Sequence, residues 1–121
     1  MSIPKAPRIS EAAISRSIME YLAARHIFAV RMNAGTQVLT SGGNRRAIHM
    51  AAPGTADILA FPKDYVKEGC WSHEEIIPTW LEVKAADGKQ SELQKSFQLQ
   101  VEAEGHRYAV VRSIEEVEAL L

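Results

Sequence analysis

Two amphipathic helical patterns, separated by short apolar runs, constrain the fold of this chain most strongly. Ser10 is a typical N-cap residue, and the apolar side chains after it recur at helical spacing, which predicts a helix from Glu11 to about Ala24. Ser91 is the N-cap of a second predicted helix, which extends to roughly Glu104. The predicted buried face of this second helix carries Leu93, Phe97 and Val101. Both helices need a surface on which to bury their apolar faces, and a central sheet would provide it.

Short runs rich in branched and aromatic residues predict the strands of that sheet. The four predicted strands of the sheet are Ile27–Met32, Asp57–Phe61, Trp80–Lys84 and Arg107–Val111, and Arg45–Met50 is a candidate short strand outside this set. Residues 33–44 are predicted to be rich in turns, residues 62–79 to be a long irregular insert, and Ile114–Leu121 to be a short helix. The predicted fold class is therefore α/β, in the order helix, three strands, helix, strand, helix, with a mixed central sheet. Residues 1–121 are predicted to form a single domain.

The composition predicts a globular protein rather than a disordered, fibrous or membrane-spanning one. Its hydrophobic fraction is 46% and its charged fraction is 24%, which are typical of a globular domain. A single cysteine, Cys70, favours a reducing compartment, and we expect a cytoplasmic protein of a bacterial or phage-infected cell. Residues 1–50 carry seven Lys or Arg and two Asp or Glu, whereas residues 51–121 carry seven and thirteen. This asymmetry is compatible with a nucleic-acid footprint or with a self-associating surface.

The most informative polar residues lie where two predicted strands begin and end. Glu82 and Lys84 point to one face of the Trp80–Lys84 strand, since side chains alternate along a strand. Asp57 opens the preceding apolar strand, so Asp57 and Glu82 converge if these strands are neighbours. Two converging carboxylates repel unless one is protonated or a cation lies between them, and oxygen ligands favour Mg²⁺ or Mn²⁺. A structural salt bridge at a strand end is the alternative interpretation.

Four further polar residues also have alternative interpretations. Glu11 shares the apolar stripe of the first helix, which directs its carboxylate toward the core side, but a first-turn carboxylate also favours the helix dipole. Gln94 fits a capping box with Ser91, and it also borders the buried face of the second helix. Arg45 and Arg46 lie beside a Ser-Gly-Gly-Asn loop, where they would contact phosphates or form a solvated basic loop.

Taken in order along the chain, four motifs resemble those of the VRR-NUC family, the virus-type replication-repair nuclease branch of the PD-(D/E)xK superfamily. They are Glu11 on the first helix, the Pro53–Asp57 segment, Glu82-Val83-Lys84 and the Gly88–Gln94 segment. The likeness also includes Arg31-Met32-Asn33 and the closing Tyr108–Ser113 segment. Ala56 stands where the superfamily's name has proline, which departs from that pattern.

The resemblance implies a restriction-endonuclease-like αβββαβ core and a Mg²⁺- or Mn²⁺-dependent DNA endonuclease that hydrolyses phosphodiester bonds. It implies that Asp57, Glu82 and the Val83 backbone carbonyl hold the metal, with Glu11 supporting the metal shell through water. By the same resemblance, Lys84 positions the attacking water.

The resemblance further implies that Gln94 orients the lysine or the phosphate. Because no recognition helix is evident, we expect selectivity for branched or Holliday-junction-like DNA rather than for base sequence, with Arg45, Arg46 and Lys89 as DNA contacts. A two-fold homodimer is expected, with the insert at residues 62–79 and the C-terminal helix as candidate interface elements. The alternatives are a non-catalytic nucleic-acid-binding subunit that retains the fold, and a purely structural interaction domain.

Overall fold

A four-stranded sheet lies at the centre of the residues that the structure describes. The structure is a computed structural model, and it describes residues 8–32, 36–49 and 52–121, with the backbone alone for 36–41 and 44–49. In chain order the elements are α1 (Glu11–Ala24), β1 (Phe28–Arg31), β2 (Thr36–Ser41), β3 (Asn44–His49), β4 (Ile58–Phe61), β5 (Lys63–Glu68), β6 (Trp71–Ile76), β7 (Thr79–Val83), α2 (Glu92–Ala103), β8 (Arg107–Val111) and α3 (Ile114–Leu120).

The central sheet is mixed and has the strand order β1-β4-β7-β8. β4 pairs antiparallel with both β1 and β7, whereas β7 and β8 are parallel. Parallel neighbours need a crossover connection, and α2 provides it. The predicted α/β class is confirmed, as is the order helix, three strands, helix, strand, helix for the elements of this sheet and its helices.

Alternate side chains of the sheet face two different helical layers. One face of the sheet forms the main core with α1 and α3. Its buried residues are Ile14, Ile18, Leu22, Ile58, Ala60, Leu81, Val83, Val111 and Val117. On the other face, Phe97 of α2 contacts Trp80 edge-on, with ring centroids 4.9 Å apart, and lies 6.3 Å from the Tyr108 ring. Each layer removes apolar surface from water, which stabilises the sheet between the helices.

Side-chain caps set where the first two helices begin, at the residues predicted. The Ser10 hydroxyl accepts a hydrogen bond from the Ala13 amide at 3.1 Å. Ser91 and Gln94 form a complete capping box at the start of α2. Gly105 follows the end of α2 with φ +83°, a left-handed conformation that glycine adopts without a Cβ clash.

Two stretches predicted as turn-rich or irregular form β-hairpins instead. β2 pairs with β3 across Gly42 and Gly43, and β5 pairs with β6 across Gly69 and Cys70. The three glycines have φ values of 56°, 82° and 61°, which two-residue hairpin turns require. The prediction of an irregular insert over residues 62–79 is therefore wrong. Its strands are difficult to recognise because β6 is exposed on both faces and lacks an apolar alternation.

Two smaller predictions also need correction. Residues 36–41, which lie inside the segment predicted as turns, form β2. Leu93 is 59% exposed, although it was predicted to lie on the buried face of α2. At this first turn of the helix, the turn around Gly54 packs against the Leu93 backbone, and the aromatic contacts of the helix with the sheet are made by Phe97.

In the described part of the chain, no helix combines the length and the apolar character that crossing a membrane requires.

Truncating Ile18 should test the core that α1 forms with the sheet. Ile18 is fully buried, so Ile18→Ala should lower the free energy of unfolding by about 2–5 kcal/mol, as large-to-small core substitutions do. Leu99→Ala is the matched control, because Leu99 is 73% exposed on α2, and it should change the value by no more than about 0.5 kcal/mol. Urea denaturation measures both. Equal losses would contradict the packing of α1 described here.

Candidate active site

Polar side chains converge at the end of the sheet where β4 begins and β7 ends. The antiparallel register pairs Ile58 with Leu81, and continuing it by one residue places Asp57 opposite Glu82. The Asp57 Oδ2 atom accepts a hydrogen bond from the Val83 amide at 2.7 Å, which fixes the carboxylate at the strand end. β4 and β7 are therefore neighbours. The sequence predicts that Asp57 and Glu82 converge in that case, and they do.

Glu82 is a buried carboxyl group with an incomplete set of hydrogen bonds. Its residue is 2% exposed, and its side chain points to the α2 face of the sheet. The Gln94 amide donates to Glu82 Oε1 at 2.7 Å. Glu82 Oε2 is also buried, and no described residue donates a hydrogen bond to it. An unsatisfied buried oxygen is costly unless a proton or a cation meets it.

The pKa of Glu82 is raised to about 8, chiefly because burial disfavours the charged carboxylate. The negative charge of Asp57 and a hydrogen bond between protonated Glu82 and Asp57 act in the same direction, whereas the Lys84 ammonium lowers this pKa. In this arrangement Glu82 is predominantly a neutral acid at pH 7. One proton therefore relieves the repulsion between the two carboxyl groups.

Lys84 lies beside this pair, with its Nζ atom 3.9 Å from Glu82 Oε1 and its side chain largely buried. The loop that follows packs along its alkyl chain, because a Cβ placed on Gly88 would lie 3.2 Å from Lys84 Cβ. Arg112 holds that loop in place, because its Nη2 donates a hydrogen bond to the Gly88 carbonyl at 2.9 Å. The loop and Arg112 together restrict where the ammonium can move.

Both interpretations of Gln94 apply at once. Its Oε1 accepts from the Ser91 amide at 2.8 Å to complete the capping box, while its Nε2 donates to Glu82. The helix cap therefore orients the amide toward the buried carboxyl group. The resemblance implies that Gln94 orients the lysine or the phosphate, and the contact that the structure shows is with Glu82.

Glu11 lies on the α1 side of the same end of the sheet. Its Oε1 accepts from the Ala85 amide at 3.4 Å, although Glu11 itself is exposed. A cavity of about 170 Å³ separates Glu11 from the strand ends, and it is lined by Glu11, Ala12, Ser15, Arg31, Asp57 and Val83. Glu11 therefore faces the sheet, as its position on the apolar stripe of α1 predicts.

The donor chemistry of this site fits a hard divalent cation. Asp57 and Glu82 supply carboxylate oxygens, and Mg²⁺ takes one or two carboxylates and completes its shell with water. A cation here would replace the proton that Glu82 otherwise shares with Asp57. In the part of the chain that the structure describes, no three His, Cys, Asp or Glu side chains form a metal-binding group. Glu11 thus does not join the carboxyl pair as a direct third ligand here.

A close turn brings the Asp57 segment against the start of α2. Gly54 has φ +91°, and a Cβ on it would lie 2.7 Å from the Leu93 carbonyl oxygen. Thr55 Oγ1 donates to the Ala52 carbonyl at 2.7 Å and closes the turn. Only glycine fits this approach, which sets the spacing between the segment leading to Asp57 and the helix that carries Gln94.

The remaining predicted site residues contribute less to this geometry. Arg45 and Arg46 lie on β3, and their side chains are outside the described part of the structure. Lys89 is exposed in the loop before α2. The contact shown by Val83 is made by its amide, which donates to Asp57, whereas its carbonyl is the ligand that the resemblance implies.

Sequence reasoning did not assign site roles to Arg31 and Arg112. Arg31 ends the strand that pairs with β4, which places it on the wall of the cavity beside Asp57. Arg112 immediately follows β8, the parallel neighbour of β7. Both are basic residues at the end of a predicted strand, and that signal becomes informative only once the strand order is known.

The chain matches no family model, no curated protein and no solved structure.

The raised pKa of Glu82 predicts a stability that depends on pH. Between pH 4.5 and about 8 the folded protein holds a proton that the unfolded chain releases, so this group's stabilising contribution is full below pH 4.5 and is lost as pH rises through 8. In EDTA, the free energy of unfolding should fall over this window by at most about 1.4 kcal/mol per pH unit from this group. Glu82→Gln should remove that component, and Glu118→Gln, at an exposed position of α3, should retain it. Parallel pH profiles for the wild type and Glu82→Gln would contradict the assignment.

The Gly54 turn predicts a second effect on stability. Gly54→Ala combines a left-handed alanine with a clash against the Leu93 backbone, whereas Gly105→Ala adds a Cβ at φ +83° with no atom within 4 Å. A positive φ destabilises either alanine by about 1 kcal/mol. Gly54→Ala should be less stable than Gly105→Ala by a clear margin, because it alone adds the clash with Leu93. Thermal unfolding of the two proteins measures the difference. Equal melting temperatures would show that the turn does not lie against α2.

Proposed function

We propose that this chain is a Mg²⁺- or Mn²⁺-dependent DNA endonuclease that hydrolyses phosphodiester bonds, with a restriction-endonuclease-like core. The observation that carries the proposal is the pair of carboxyl groups formed by half-buried Asp57 and buried Glu82, with an oxygen that lacks a described donor and a lysine beside it. The resemblance of the four sequence motifs to the VRR-NUC family supports the same conclusion.

Asp57 and Glu82 are the residues that would hold the cation, and Glu11 would support its water shell. When bound, a divalent cation would neutralise charge on the phosphate and lower the pKa of the attacking water. Gln94 keeps Glu82 in one orientation through its 2.7 Å hydrogen bond. Val83 does the same for Asp57 through its amide.

Lys84 has the position and the charge to orient the water and to stabilise a phosphate that gains negative charge. Its ammonium lies on the same side as Glu82, and the packed alkyl chain limits its freedom. A preorganised cation of this kind acts most strongly in a site from which water is partly excluded, and the side chain of Lys84 is largely buried.

The proposed substrate is branched or Holliday-junction-like DNA, recognised without reading base sequence and cleaved by a two-fold homodimer. Exposed Tyr65 and Ile76, which share one face of the β5–β6 hairpin, support a contact surface there. Arg45, Arg46 and Lys89 are proposed DNA contacts. The free thiol of Cys70 is compatible with the proposed cytoplasm of a bacterial or phage-infected cell.

Cleavage assays should test the proposal directly. Labelled four-way junction, flap, duplex and single-stranded DNA are incubated with the protein in EDTA, Mg²⁺ or Mn²⁺. We expect metal-dependent products, and a loss of at least roughly 100-fold in rate for Asp57→Asn and for Lys84→Ala. Lys95→Ala is the charge-matched control, because Lys95 is exposed on α2 beside Glu92, and it should cleave at the wild-type rate.

The outcomes separate the proposed nuclease from its alternatives. Cleavage retained in Asp57→Asn would contradict the site assignment. DNA binding with no cleavage in any metal would indicate the non-catalytic binding subunit. A melting temperature unchanged by Mg²⁺, with neither binding nor cleavage, would indicate a structural domain, because nothing then binds the native state. Paired symmetric nicks in the junction would support the dimer.

A further inference from the structure

The face of the sheet that carries Glu82 continues, away from the candidate active site, into an exposed apolar surface on β1 and β4. We call this surface the open face and define it by Phe28, Val30, Leu59 and Phe61. The register pairs Leu59 with Trp80, Val30 with Leu59 and Phe28 with Phe61, so these side chains share one face. That face also carries Glu82, since Trp80 and Glu82 are two residues apart on β7.

Only half of this face is packed under α2. Phe97 contacts Trp80 and Tyr108, which lie on β7 and β8. On β1, at the other side of the sheet, Phe28 is 68% exposed and Val30 is 39% exposed. The Phe28 and Phe61 rings lie 5.6 Å apart at an angle of 31°. They form an aromatic surface that is accessible to a flat partner.

The far end of the open face is basic. A cavity of about 550 Å³ opens there, and Phe28, Phe61 and Ile76 contribute apolar side chains to its wall. Lys63 and Arg25 belong to the same wall, and both are exposed. Arg25 also donates a hydrogen bond to the Tyr21 hydroxyl at 2.6 Å, which leaves its other N–H groups for a ligand. An apolar floor with cationic edges complements a ligand that has flat apolar faces and regularly spaced negative charges.

The length of the open face suits more than one nucleotide. Four residues separate Asp57 from Phe61, which corresponds to about 13 Å along the strand. Even one stacked B-DNA nucleotide rises only about 3.4 Å along the helix axis. A strand whose scissile phosphate is at Asp57 and Glu82 therefore has room for more than one nucleotide along this face.

We propose that the open face binds unpaired bases of the DNA substrate, with Phe28 as a stacking platform and with Arg25 and Lys63 on the phosphates. The inference rests on the proposed nuclease function, because it takes DNA as the ligand. In a duplex the flat faces of the bases are stacked on one another, so only an unpaired segment offers them to Phe28. The preferred substrates are then flaps, splayed ends and opened junctions, which carry single-stranded DNA next to a duplex.

Binding measured without cleavage tests this proposal. Fluorescence anisotropy in EDTA compares labelled single-stranded, splayed and fully paired oligonucleotides. Phe28→Ala should weaken binding of the single-stranded and splayed DNA roughly tenfold and leave the fully paired DNA unchanged, since one stacked base contributes about that much. Phe28→Tyr keeps a ring and should bind as the wild type does. Leu99→Ala removes an exposed apolar side chain from α2 and should also have no effect.

A second variant keeps the test valid if Phe28→Ala unfolds, which thermal melting would reveal. Lys63→Glu reverses a charge at an exposed position and should weaken binding of the single strand more than that of the duplex. Equal weakening of both DNA forms, or no weakening by either variant, would overturn the proposal. A change from dimer to monomer in sedimentation, with DNA binding intact, would also overturn it, and would make the face a contact between copies of the chain.

The readouts distinguish this inference from the nuclease proposal. If the wild type cleaves DNA and Phe28→Ala shows no change in binding, the open face is not the site of the unpaired strand and the nuclease assignment stands. If the wild type binds single strands through Phe28 but cleaves nothing, the open face stands and the nuclease assignment falls.

Discussion

Backbone hydrogen bonds between β4 and β7 set Ile58 opposite Leu81, and the alignment of the two carboxyl groups at the candidate site follows from that register. One residue farther along, Asp57 comes opposite Glu82. A shift of the register by one residue would place Asp57 opposite Leu81 or Val83, whose side chains lie in the core, instead of opposite Glu82. The apolar side chains of β4 and β7 make such a shift costly, because Ile58 and Leu81 are fully buried against the helices. The core thus maintains the alignment of the site.

The site itself lowers the stability that the core provides. Glu82 is buried with one hydrogen-bond donor, and its second oxygen has none among the described residues. Polar groups in such a state are destabilising in a protein interior and persist where they serve a function. The capping box of α2 limits this cost, because the Gln94 amide is already oriented by Ser91 before it meets Glu82. Gln94 therefore completes the cap of α2 and also donates a hydrogen bond to one oxygen of the buried Glu82 carboxyl group.

Local signals in the sequence predict the helices well and the hairpins poorly. The caps at Ser10 and Ser91 and the apolar periodicity after them place α1 and α2 within a residue of their positions. The sequence does not predict the hairpin at residues 62–79, because β6 is exposed on both faces and has no apolar alternation to mark it as a strand. Asp57, Glu82 and Lys84 were identified as candidates from strand periodicity. The distances between these residues depend on the order of the strands in the sheet, which no local sequence pattern contains. Arg31 and Arg112 are not recognisable as site residues from the sequence, because their position also depends on that order.

The turn between β5 and β6 has a practical consequence for work on this molecule. Cys70 is the chain's single cysteine, and it is exposed in a two-residue turn that closes a hairpin outside the central sheet. A thiol-reactive dye or spin label therefore attaches at one defined position without prior substitution of other residues. The register of β5 with β6 constrains the backbone on both sides of the label. The hairpin offers a ready attachment point from which distances to a labelled oligonucleotide or to a second copy are measurable.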